Sequence, residues 1–188
     1  MKHLLFNKAL RILLITNGLI LLSGAMFGPI YALFVEEIGG DLLSAGLTGG
    51  IFALAAGLTT LVAGRYADKF KRDEYIVAGG YALLGTGFLL YTAVHSLLFL
   101  FAVQILIGFA EAMYSPAFDA LYSRHITKKK AGREWGAWES MNYFSAALGA
   151  ALGGVVASFL GFSALFVMMA SLCFISVFII LRVPKRVF

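Results

Sequence analysis

The chain has 188 residues, of which 61% are hydrophobic and 13% charged, with a net charge of +5 and one cysteine. A water-soluble domain carries roughly 45–50% apolar and about 25% charged residues, so this composition excludes a soluble globular domain. Cys173 has no second cysteine to pair with, which excludes an intrachain disulfide. The basic excess sits in short segments beside apolar runs, where it reads as a topology signal and not as a nucleic-acid surface.

Four long stretches lack formal charge: Ile12 to Val35, Leu42 to Gly64, Tyr75 to Ala110 and Ser140 to Leu181. A membrane-spanning helix needs about 20 mostly apolar residues. The last two stretches are each long enough for two such helices joined by a tight turn. In chain order the expected spans are residues 10–35, 43–64, 75–94, 97–121, 136–159 and 162–181. The expectation is an all-α membrane protein, a single six-helix domain over residues 1–188.

Lys2 and Lys8 before an apolar run resemble a secretory signal, but the run is too long and no A-x-A site follows cleanly. It reads as a retained first span. Lys2, Lys8 and Arg11 precede span 1, and Arg65, Lys69, Lys71 and Arg72 lie between spans 2 and 3. Arg124, Lys128, Lys129, Lys130 and Arg133 lie between spans 4 and 5, and Arg182, Lys185 and Arg186 follow span 6. Six spans put every Lys and Arg on one side, which the positive-inside rule makes cytoplasmic, with both termini there. Glu36, Glu37, Asp41 and His95 fall on the opposite side.

The loop after span 2 reads Gly64-Arg65-Tyr66-Ala67-Asp68-Lys69-Phe70-Lys71-Arg72. It resembles the G-x-x-x-D-(R/K)-x-G-R-R loop of the major facilitator superfamily of transporters, matching at Gly64, Asp68, Lys69 and Arg72. Lys71 replaces the usual glycine. Ser115-Pro116-Ala117, Gly132-Arg133 and Gly136 match a second family pattern. Gly149-Ala150-Ala151-Leu152-Gly153-Gly154 is similar to G-P-x-x-G-G without its proline. The proline form accompanies antiport in the family, so symport is expected here. The resemblance covers the N-terminal half of the twelve-helix family fold. Its two halves are parallel repeats, which implies a parallel homodimer of six-helix halves. The alternatives are a separate second half, an interaction subunit without transport activity, or an excised half.

The resemblance implies that spans 1 and 4 line a central cavity. Glu111 is a lone carboxyl group within span 4, and Gln104, Gly108, Glu111 and Ser115 share one helical face. Intramembrane ionisable residues usually face the protein interior, so Glu111 is the candidate proton carrier. Its alternative is a structural hydrogen bond. Gln104 stands where many relatives carry arginine, so no role resting on that cation transfers. Asn17, Asn142 and Tyr143 lie at a depth similar to Glu111 and are expected to form one polar layer with it; ordinary interhelical bonding is the alternative. Tyr31 reads as an interfacial aromatic.

By the same resemblance, Asp68 contacts the N-terminus of a helix in the other half and helps close the cytoplasmic side. Arg72 would pair with an acid ending span 4, but Arg124 stands there. Glu134 and Glu139 are the candidate substitutes. The family's inter-half contacts imply span 2 against span 5 of a partner. Small residues recur at intervals of four in both: Gly49, Ala53 and Gly57, and Ser145, Gly149, Gly153 and Ala157. Such stripes let helices approach closely in lipid; packing within one chain is the alternative. Phe174, Phe178, Ile179 and Ile180 should face lipid.

His3, His95 and His125 lack metal-ligand spacing, and Cys173 reads as a packing residue. The chain has no phosphate-binding G-x-x-x-x-G-K loop and no nucleophile–base pair, so neither an enzyme nor an ATP-driven pump is expected, and no cofactor or metal. The expected partners are the lipid bilayer of the cell's inner (plasma) membrane, an unidentified small solute and protons, with no nucleic acid.

Overall fold

The computed structural model describes residues 7–67, 72–184 and 187–188, the side chains of 64–67 excepted. Those residues are helical throughout, apart from turns. Asn7 caps α1 (Lys8–Ala25) by accepting the Leu10 N–H at 2.8 Å. Thr16 and Ser23 return their hydroxyls to carbonyls of their own helix, Ile12 at 2.9 Å and Ile20 at 2.6 Å. In lipid, polar groups must find such partners within the protein.

The first span is not the single rod expected over 10–35. α1 stops at Ala25, a 3-10 turn occupies Gly28–Ile30, and α2 covers Tyr31–Glu37. Pro29 has no N–H to donate and its ring clashes with the preceding turn, so the helix breaks there. α3 (Leu42–Ala67) starts at Asp41, whose carboxylate accepts the Ser44 hydroxyl and N–H at 2.6 and 2.8 Å. Those bonds, the hydroxyl's foremost, hold the exposed Asp41 carboxyl below its ordinary range.

α4 (Asp73–Tyr91) and α5 (Leu97–His125) follow. Ser96 caps α5, accepting the Phe99 N–H at 3.4 Å. A second 3-10 turn, Lys128–Lys130, leads into α6 (Ala131–Arg182), which is jointed at Gly161 with φ 81° and ψ 171°. Only glycine adopts that backbone without strain. The joint falls between the two helices expected over 136–159 and 162–181, and it separates two arms, residues 131–160 and 162–182.

Contacts fix the direction of each rod. Along α1, Gly18, Leu22 and Met26 meet Ser145, Gly149 and Gly153 of the first arm in that order, so the two run parallel. Ser23 meets Cys173 and Thr16 meets Ser176, so the second arm runs back. Asn17 meets Tyr81 and Phe27 meets Tyr91, making α4 parallel to α1. Gly80 lies against Tyr114 and Gly87 against Ile107, making α5 antiparallel to α4. Among the described residues, four helical stretches are long and apolar enough to cross a membrane: Lys8–Glu37, Leu42–Ala63, Leu97–His125 and the double-length Lys128–Arg182.

The tight packing of α6 on α1 corrects the expected dimer stripe. A Cβ on Gly149 would lie 2.6 Å from the Ala25 Cβ and 2.9 Å from the Leu22 carbonyl oxygen, and one on Gly153 would overlap the Met26 backbone. Ser145 donates to the Gly18 carbonyl at 3.4 Å. These three residues are buried within the chain because α1 needs them for close approach, and Ala157 packs on the same core. On α3, Gly49, Ala53 and Gly57 are exposed. Of the residues expected to face lipid, Phe174 and Phe178 are exposed, but Ile180 is buried.

Candidate functional site

A cavity of about 500 Å³ opens between α1, α3, α4, α5 and both arms of α6. Apolar side chains make most of its wall, among them Ile20, Phe52, Leu84, Phe88 and Met169. Its polar groups are Tyr31, Tyr91, Gln104, Glu111, Tyr114 and Asn142. A mostly apolar wall with a few convergent polar groups is the form of a small-molecule site. Among the described residues lining it there is one carboxyl group and no cationic side chain.

Gln104 organises one end. Its amide N–H₂ donates to the Tyr31 hydroxyl at 2.6 Å, and its oxygen accepts the Tyr91 hydroxyl at 3.3 Å. A side chain on α2, one on α4 and one on α5 are thereby tied at a single level. The break at Pro29 starts α2 where Tyr31 can reach inward, so this residue is a cavity group rather than the expected interfacial aromatic. Thirteen positions separate Tyr91 from Gln104, and the α4–α5 turn folds that interval into direct contact.

Glu111 lies two helical turns along α5 from Gln104, partly buried, with no hydrogen-bond partner among the described residues. Asn142, on the first arm of α6, lines the same cavity. The other two residues of the expected polar layer are elsewhere. Asn17 is 3% exposed, and its side-chain oxygen accepts the Tyr81 hydroxyl at 3.1 Å. The cavity wall on α1 begins at Ile20, one turn later. Tyr143 is 68% exposed, because the residue after Asn142 is rotated about 100° around the helix and points outward.

The expected gating loop falls largely beyond description. Asp68 and Lys69 lie outside the described residues, and Gly64 lies in the backbone of α3. Arg72 is exposed, with its guanidinium 5.6 Å from the Tyr75 ring centre. Among the described residues, Arg72 pairs with neither Glu134 nor Glu139. Asp73, 2% exposed, forms an ion pair with Arg124. Glu134 is buried and accepts the Thr127 N–H at 2.7 Å, closing the turn before α6, while Glu139 is exposed. Tyr122 donates to the Glu134 carbonyl oxygen, and Asn7 donates to the His125 carbonyl oxygen at 2.8 Å.

Apolar helices on this scale, packed around a mostly apolar cavity with a few convergent polar groups, define an integral multi-pass membrane protein. The chain belongs to the Major Facilitator Superfamily, whose sequence model matches residues 13–187. It is 26% identical over 155 residues to an uncharacterized MFS-type transporter, MJ1560, of Methanocaldococcus jannaschii, covering 82% of this chain and 40% of that protein. It is 28% identical over 171 residues to the multidrug resistance protein MdtG of Dickeya zeae, covering 88% of this chain and 41% of the relative. The uncharacterized MFS-type transporter YitZ of Bacillus subtilis is 24% identical over 155 residues, and there the match covers 82% of this chain and 93% of YitZ. The chain thus spans about 40% of the length of MJ1560 and MdtG.

Proposed function

We propose that the chain is a six-helix half of a secondary transporter that moves a small solute by alternating access. It crosses the cell's inner (plasma) membrane six times with both termini in the cytoplasm. Two copies side by side, inserted in the same sense, form the working unit. The observation that carries this reading is the meeting of Glu111, Asn142 and the Tyr31–Gln104–Tyr91 chain at one cavity. Glu111 is the proton carrier, and Gln104 with its two tyrosines holds the solute. A wall of aromatic groups with one carboxyl and no cation suits a neutral or cationic solute better than an anion. The proton-coupled antiporter flippase LtaA of Staphylococcus haemolyticus, 30% identical over 86 residues, adds a precedent for proton coupling. Symport remains our reading, and the sign of the gradient that drives uptake tests it.

A second reading has one observation in its favour. MJ1560 and MdtG extend well beyond the matched segment, so a separate second half could complete the cavity in place of a second copy. Both readings are tested by reconstituting the chain alone into liposomes with a panel of solutes, with and without a pH gradient. Gradient-driven uptake that disappears in Glu111→Gln supports the homomeric transporter. Activity only after adding a second six-helix protein supports the heteromeric one, and no uptake in either case overturns both.

A further inference from the structure

A second cavity, of about 440 Å³, lies at the end of the bundle away from the basic segments. It is separate from the cavity of the proposed transport site, and Tyr91 is the one residue that lines both. Phe34, Tyr91, Phe162 and Phe166 form its aromatic side. The Phe34 ring centre is 5.3 Å from that of Phe162 and 5.0 Å from that of Phe166, and Tyr91 is 5.0 Å from Phe166. Four rings from three elements are thus locked together as a rigid surface.

The polar side of this cavity carries Glu37, Thr92, His95 and Ser163. Neither Glu37 nor His95 has a hydrogen-bond or ionic partner among the described residues. The Thr92 hydroxyl gives its proton to the Leu89 carbonyl at 2.7 Å, which leaves its oxygen free to accept. Two long helices also end here. α4 stops at Tyr91, and the first arm of α6 reaches Leu160 before the joint at Gly161. Helix C-termini present carbonyl oxygens and a negative partial charge. Two N-termini oppose them, that of α5 at Leu97, just after His95, and that of the second arm at Phe162. The helix ends therefore offset one another, and among the described residues the carboxylate of Glu37 is the one formal charge lining the cavity.

We propose that this outer cavity binds a small organic cation, an ammonium ion joined to an apolar or aromatic body. The body rests against Phe162, the partly exposed ring of a cluster whose Phe34 and Phe166 are buried behind it, since cations and their flanking groups are attracted to aromatic faces. The ammonium group donates to the Glu37 carboxylate and to the Thr92 hydroxyl oxygen. An anion would meet the Glu37 carboxylate with no cationic Lys or Arg beside it among the described residues, and is disfavoured. A cavity of this volume lies in the range of small-molecule sites. The inference does not depend on the transport reading, because none of its polar groups belongs to the central cavity.

The test uses the full chain in lipid nanodiscs and three ligands with one skeleton: the phenethylammonium ion, 2-phenylethanol and phenylacetate. Saturation-transfer NMR reads binding of each. Saturable binding of the ammonium ion, with the alcohol weaker and phenylacetate absent, is expected. Glu37→Gln should weaken the ammonium ion by about tenfold, the loss of one charge-assisted hydrogen bond. Phe162→Leu should weaken it while leaving Glu37 in place. Glu139→Gln, which removes an exposed carboxylate lining neither cavity, should leave binding unchanged, while Glu111→Gln reports any binding at the central cavity. Equal binding of all three ligands, an unchanged affinity in Glu37→Gln, or a loss confined to Glu111→Gln would each overturn the proposal.

Discussion

Asp73 and Arg124 form the last rung of an antiparallel ladder between α4 and α5. Tyr91 with Gln104, Gly87 with Ile107 and Gly80 with Tyr114 are the rungs before it. The acid lies at the start of α4, where a helix N-terminus favours negative charge, and the base in the last turn of α5, where a C-terminus favours positive charge. The two partners differ in exposure: Asp73 is 2% exposed and Arg124 56%.

That asymmetry predicts unequal mutants. Arg124→Ala strands a buried carboxylate and should destabilise by about 3 kcal/mol, the lower end of the range for breaking a buried pair. Asp73→Asn leaves a solvated guanidinium and should cost less than about 1 kcal/mol, as for exposed pairs. Asp73→Asn added to Arg124→Ala should restore most of the loss. Thermal unfolding of the purified variants in detergent checks all three. Equal losses for the two single variants would show that the pair is not asymmetric.

The contact of α6 with α1 predicts a position-specific intolerance. Gly153→Val has no room against the Met26 backbone and should cost about 3 kcal/mol or more through overpacking. Gly154→Ala, next in sequence, meets nothing within 4 Å and should be near neutral. Chromatography after graded heating would separate the two. A Gly153→Val protein as heat-stable as its parent would mean that the helices can part without loss.

These particulars show what the sequence alone could carry. Helix existence was legible because the apolar runs are long, while the caps at Asn7, Asp41 and Ser96 that fix three of the starts emerged only with the structure. The meeting of Glu111 and Asn142 at one cavity was expected from their similar depth together with the cavity that the family resemblance implies. Tyr31 was misread because a continuous first helix would carry it away from Gln104, and the break at Pro29 reverses that. Asn17 and Tyr143 have the right depth and the wrong rotation, and depth is what an apolar run reveals. Glu134 and Glu139 were sought as partners of Arg72, and no partner was foreseen for Arg124. The register of α4 against α5 instead brings Asp73 to it, and that register is a packing property of Gly80 and Gly87.

The dimer proposal now has a different α6 surface. Ser145, Gly149 and Gly153 face α1, so cysteines there should not crosslink between copies. Exposed Ala53 on α3 and exposed Leu152 on the first arm of α6 are the better pair. Cysteines at these two positions, on differently tagged copies in membranes, should crosslink efficiently if two parallel halves form the transporter. Crosslinking through Phe174 or Phe178 instead would remove the arrangement from consideration.

The gate carries its own expectation. Asp68→Asn should shift the population towards inward-facing forms, since a charge–helix-dipole contact is typically worth about 0.3–1 kcal/mol. Labelling of a cavity cysteine from the cytoplasmic side should then speed up several-fold. An unchanged labelling rate would assign this loop another role.

α3 has its own place in the mechanical order of the bundle. Within this chain it leans on α5, with a lesser contact from α2, and only 6% of its most apolar window is buried. Gly108 of α5 is where the two backbones come closest, with a Cβ there falling 2.6 Å from the Phe52 carbonyl oxygen. Local unfolding follows the weakest packing. α3 is therefore the rod that detaches first when the protein is pulled or stripped of lipid, while α1, α4 and both arms of α6 stay together. An enlarged side chain at Gly108 would free it without disturbing the rest.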